Sequence, residues 1–122
     1  MSPNPVSIKV TETGAAPSKT IQIQVSQDPI NLQGHGHGAV PIHWEIDPTS
    51  TEGWLFAANG IAIGSPKFAD GGPANGNRRH SWTRNANQAD GNHYKYSISV
   101  TKTDASGVTT TVIVDPGIVN QS

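Results

Sequence analysis

Few residues in this chain have the type and spacing that chemistry needs. Residues 34–38 read "GHGHG", so His35 and His37 are separated by a single glycine. In an extended chain two such imidazoles project to the same side, close enough to share one zinc, copper or nickel ion. A catalytic metal centre takes about three protein ligands. The other candidates, His43, His80, His93, Glu45, Asp70 and Asp90, are scattered along the sequence. The same five residues also read as a loop in which glycine supplies positive φ and histidine is polar filler. The fixed ligand spacing of a zinc motif is missing, so the loop is the expectation and no cofactor is expected.

His43 and Glu45 take alternate positions on one predicted strand, about 6.5–7 Å apart along its outward face. At that distance a carboxylate and an imidazole either cooperate in acid-base work or form a surface ion pair, and the ion pair is the commoner outcome. A third grouping is Arg78, Arg79, Trp82 and Arg84 in "RRHSWTR", which contains every arginine of the chain. Guanidinium forks beside an indole suit a carboxylate, a phosphate, a sugar ring or another protein. The competing reading makes Trp82 a core residue of a short strand with solvated arginines around it. There is no G-x-S-x-G, P-loop, H-E-x-x-H or dinucleotide fingerprint, which argues against those enzyme classes.

The elements that must position these residues are strands. Isoleucine and valine total 20 against two leucines, Leu32 and Leu55, and β-branched side chains fit a pleated surface better than a helix. Val6, Ile8 and Val10 alternate with polar residues, as do Ile21, Ile23 and Val25 in "TIQIQV". Val40, Ile42, Trp44 and Ile46 share one parity, and so do Tyr94, Tyr96, Ile98 and Val100. If Ala105, Ser106 and Gly107 loop out, with Gly107 left-handed, Val112 and Val114 reach the same core as Ile98 and Val100. "GWLFAANGIAIG" reads as a hairpin about Asn59-Gly60, with Ala58 opposite Ile61 and Phe56 opposite Ile63. Residues Ser65 to Asn92 read as a long connection without a strand pattern. Together these predict one all-β domain over residues 1–122, an antiparallel two-sheet sandwich of immunoglobulin-like type with about seven strands.

Composition narrows the partners. The chain has 122 residues, 8 basic and 9 acidic, for a formal net charge of −1. No global field favours nucleic acid or an anionic membrane. Without cysteine there is neither a disulfide framework nor a cysteine zinc site. The start, "MSPNPVSIKV", lacks a basic segment followed by an apolar run, and no stretch approaches the roughly 20 apolar residues of a membrane-spanning helix. A soluble cytoplasmic protein is the expectation.

Asp-Pro dipeptides punctuate the strands at Asp28, Asp47 and Asp115. Over residues 43 to 120, the run from "HWEIDP" through "GWLFAANGIAIG" and "YKYSISVT" to "DPGIVN" resembles the small bacterial proteins grouped as the DP-EP family. That resemblance implies a β-sandwich without an assigned activity and transfers no catalytic residue.

The functional expectation is therefore a non-catalytic sandwich acting through binding or self-association. Between Thr20 and Val25 there is no Lys, Arg, Asp, Glu or Pro. Such a strand on a sheet edge presents open backbone groups that a second copy would cover. The alternatives are a carbohydrate- or small-ligand-binding module using Arg78, Arg79, Trp82 and Arg84, and a metal-dependent enzyme using His35 and His37.

Overall fold

A computed structural model of the chain describes residues 4–14 and 19–122. Ten strands follow in order: β1 (Val6–Thr13), β2 (Thr20–Val25), β3 (Ile30–Asn31), β4 (Val40–Ile46), β5 (Leu55–Ile63), β6 (Phe68–Ala74), β7 (Arg79–Arg84), β8 (His93–Thr103), β9 (Thr109–Val114) and β10 (Gly117–Val119). They form two five-stranded sheets. The first runs β2-β1-β4-β7-β6; the second runs β3-β10-β8-β5, with β9 also on β8. The all-β two-sheet sandwich expected from the alternation is the fold of this chain. Three expectations of detail need correction.

The first concerns strand direction and number. Pairing is antiparallel except where β1 lies parallel to β4, with Val6 beside Trp44, and where β10 lies parallel to β3, with Ile118 beside Ile30. Short strands that exist only as partners, such as the two-residue β3, raise the count above seven. β9 and β10 continue one line along β8, broken at Pro116. Pro116 cannot donate, but its carbonyl still accepts from the Tyr96 N–H at 3.1 Å.

The second concerns Asn59-Gly60, which does not reverse the chain. β5 passes through it as one strand, pairing Phe56 with Val100 and then Ile61 with Ile98 on β8. Five steps on β5 match two on β8, so three residues are looped out. An odd insertion switches the inward positions from even to odd, so Trp54, Phe56, Ile61 and Ile63 are all buried, as the pattern predicts. Ala58 therefore does not pair with Ile61. Asn59 takes the left-handed conformation (φ 56°), and Gly60 is needed for a different reason. A Cβ there would lie 2.7 Å from the Phe56 Cβ.

The third concerns residues 65–92, where the expected connection contains an antiparallel hairpin, β6 and β7. β6 (FADGGPA) has no alternation of its own and is a strand because β7 pairs with it.

The core fills the space between the sheets. Val6, Ile8, Val10, Ile42 and Trp44 face Phe56, Ile61, Tyr96, Ile98 and Val100, all buried. Each such side chain contributes roughly 1.5–3 kcal/mol relative to exposure. Trp44 donates its indole N–H to the Tyr96 hydroxyl across the sandwich at 3.0 Å, satisfying a donor that burial would otherwise penalise. Gly107 is left-handed (φ 82°) and closes the β8–β9 turn as expected, pairing Val112 with Val100 and Val114 with Ile98.

Candidate functional site

The histidine loop and the arginine cluster, separate in sequence, meet in space. Arg84 ends β7 on its inward face and is fully buried. Its guanidinium donates to the Gly36 and Gly38 carbonyls at 2.7 and 3.3 Å, to the Gln121 carbonyl at 2.8 Å, and to Asn120 Oδ1 at 3.4 Å. None of these partners is a carboxylate. Burial pushes the Arg84 guanidinium below its ordinary pKa, and four carbonyl dipoles replace its water. Gly34 and Gly36 are left-handed (φ 88° and 78°), which turns the loop so that alternate carbonyls point at Arg84. The loop reading of "GHGHG" thus acquires a structural reason. Its glycines serve Arg84, and the His37 carbonyl accepts the Asn87 N–H at 2.7 Å.

The remaining residues of the arginine cluster do not converge. Trp82 is half-buried against the core and donates its indole N–H to the Ile61 carbonyl at 2.9 Å. Arg79 faces outward and pairs with Glu45 at 3.6 Å. Arg78 is exposed in the β6–β7 turn and lines a cleft of about 310 Å³ with Asp47, Glu52 and Trp54. A four-residue ligand grip is not assembled, because Trp82 and Arg84 have the inward parity of β7 and Arg79 the outward.

His43 and Glu45 pair across strands with Ser81 and Arg79, and Glu45 makes its ion pair with Arg79. Partial burial, and then the Arg79 charge, hold the His43 imidazole below its ordinary pKa. His80 is buried, with Nε2 2.9 Å from Asp70 Oδ1. Among the described residues no group of three or more His, Asp or Glu is placed to hold a metal ion.

What the fold leaves open is one side of the sandwich. On the opposite side the β6–β7 hairpin closes over β5: the Phe56 N–H donates to the Asn77 carbonyl at 2.8 Å, and Phe56, Ile61, Ile63 and Phe68 are buried. On the open side β2 ends the first sheet, as expected for "TIQIQV", and among the described residues β9 has no strand partner beyond β8. The Ser26 N–H bonds the Ser7 carbonyl at 3.0 Å. By ladder alternation, Thr20, Gln22 and Gln24 then bond to β1, and the backbone groups of Ile21, Ile23 and Val25 point away. On β9 the bonds Asp104 N–H to Val108 O (2.9 Å) and Tyr96 N–H to Pro116 O set the same alternation, leaving Thr109, Thr111 and Ile113 directed outward. Ile21, Ile23 and Val25 above, with Val112 and Val114 below, are half-buried at the mouth of the core.

No family model matches the chain, and no curated protein matches it significantly.

Among the described residues the open side carries no nucleophile paired with a base. It offers unpaired backbone donors and acceptors along two uncharged strands, with aliphatic side chains between them, which suits strand addition. Sequence reasoning found the β2 edge and missed the β9 edge. The signal was present in "TTTVIV", as free of charge as "TIQIQV". Among the described residues the exposed large hydrophobics are Val108 and Ile113, at 58% and 61%, both on the β8–β9 hairpin.

Proposed function

We propose that this chain is a non-catalytic β-sandwich that acts by self-association through the open edge of β2, forming a homo-oligomer. The observation that carries this reading is the position of Thr20–Val25 as an uncharged terminal strand. Apart from β9 on the same side, the other edges have the devices that block pairing: a bulge, Asp70 and Pro73 on β6, three looped-out residues on β5, and a length of two residues on β3. Sedimentation of the wild type against a Gln22→Lys, Gln24→Lys variant tests it. Kinship with the DP-EP family, an immunoglobulin-like topology and a cytoplasmic location belong to the same proposal. The first is supported by the Asp-Pro dipeptides, which lie between β2 and β3, at the end of β4, and between β9 and β10. Among the described residues no helix is long and apolar enough to cross a membrane.

A second reading keeps a small polar or sugar ligand at the cleft beside Arg78. The Trp54 indole N–H is buried there without an acceptor, in a cleft lined also by Arg78 and Glu52. Titration calorimetry with a sugar panel, repeated on Arg78→Ala, tests that reading.

A further inference from the structure

We propose that β9 is the second half of the self-association surface, so that one copy of this chain docks on another along both sheets at once. This rests on the self-association reading of β2 and adds to it a strand, a register and a symmetry axis. The two edges lie on the same side of the sandwich. Ile23 and Val25 of β2 line a groove of about 250 Å³ with Val114, Asp115 and Pro116, and the Gly117 N–H donates to Asp28 Oδ1 at 3.0 Å where the two lines of chain meet. Their levels also correspond. Ile21 pairs with Glu12 and Thr110 with Lys102, while Lys102 Nζ is 2.6 Å from Glu12 Oε2. That ion pair sets Ile21 at the level of Thr110, and two residues further on Ile23 stands at the level of Val112.

A two-fold axis normal to the stacked sheets turns an edge strand into its antiparallel neighbour without exchanging the sheet's faces, so a single axis can extend both sheets. Placed at Ile23 and Val112, it sets Gln22 opposite the partner's Gln24, and Thr111 opposite the partner's Ile113. The backbone groups that would bond are the outward ones on both strands: Ile21, Ile23 and Val25 on β2, and Thr111 and Ile113 on β9. The occupant is a second copy because neither Thr20–Val25 nor Thr109–Val114 contains a charged residue. Self-pairing therefore brings no like charges together. In addition, the five half-buried aliphatic residues at the mouth of the core meet their own image, and Ile113 gains cover that the monomer does not give it.

The experiment uses two variants of the full chain. The wild type has no cysteine, so Val112→Cys introduces a unique thiol. The axis places it in a non-hydrogen-bonded pair, where Cα atoms lie about 4.5 Å apart, within disulfide range. Mild oxidation should yield a covalent dimer that sediments like the non-covalent one. Ile113→Lys changes a side chain already exposed in the monomer and should weaken association roughly tenfold or more while leaving the fold intact by circular dichroism. If Val112→Cys fails to cross-link, or Ile113→Lys associates as tightly as the wild type, while the Gln22→Lys, Gln24→Lys variant still dissociates the dimer, the β9 inference is overturned and the β2 reading stands. A wild-type monomer overturns both.

Discussion

Arg84 donates a hydrogen bond of 2.7 Å to the carbonyl oxygen of Gly36, from the last residue of β7 to the middle of a loop far from it in sequence. A single buried guanidinium thereby ties the histidine loop to the Asn120–Gln121 segment. Removing it leaves the buried Asn120 Oδ1 and three partly buried backbone carbonyls without this donor. Arg84→Met should cost about 3 kcal/mol, and Arg84→Lys should recover only part of that, since one ammonium cannot reproduce the planar fork. Denaturant unfolding gives both values. An Arg84→Met protein as stable as the wild type would contradict this role.

Gly60 offers a separation of two explanations for one glycine. It does not have positive φ, and its constraint is the Phe56 Cβ at 2.7 Å and the Ala57 carbonyl at 2.9 Å. Gly60→Ala should therefore destabilise by about 1–3 kcal/mol, as overpacking does. Asn59→Gly, at the left-handed position, should be close to neutral or mildly stabilising. Thermal melts of the two variants distinguish a packing constraint at Gly60 from a conformational one.

Glu12 links stability to pH. The Lys102 hydrogen bond holds its carboxyl below the usual carboxylate range, against an opposing effect of burial and with help from Lys19. A group whose folded pKa is depressed binds fewer protons folded than unfolded. Its stabilisation is therefore present above the unfolded value, about 4.3, and is lost as pH falls through the folded one. Glu12→Gln should be less stable than the wild type at pH 7, and the gap should shrink as the pH is lowered through that window. A gap that stays constant down to the lowest accessible pH would rule out the link.

Metal should not matter to folding. Two histidines in a glycine loop do not supply the closed shell from which structural zinc gains its folding energy. Chelator treatment should leave the melting temperature unchanged. A large drop, or stoichiometric metal by elemental analysis, would return His35 and His37 to the role of ligands.

Much of this architecture can be read from residues, and what cannot has physical causes. β1, β2, β4, β8 and β9 announce themselves because each buries one face, and the alternation of Ile23 with Gln22 and Gln24 records it. Asn59-Gly60 misleads because a left-handed residue serves a bulge as well as a turn, and an odd insertion gives the same inward set as a hairpin. β6 leaves no pattern because an edge strand with Gly71, Gly72 and Pro73 takes its identity from β7. Arg84 reads as a solvated or ligand-gripping cation because the sequence does not reveal which carbonyls will surround it. The openness of β9 depends on strand order, which parity does not encode.

Self-association is the central claim, and equilibrium sedimentation at micromolar concentration tests it most directly. The wild type should be a dimer. The Gln22→Lys, Gln24→Lys variant, in which the register sets lysines opposite each other, should be a folded monomer, the like charges costing roughly a hundredfold in affinity. A wild type that sediments as a monomer, or a dimer indifferent to these lysines, would contradict the account.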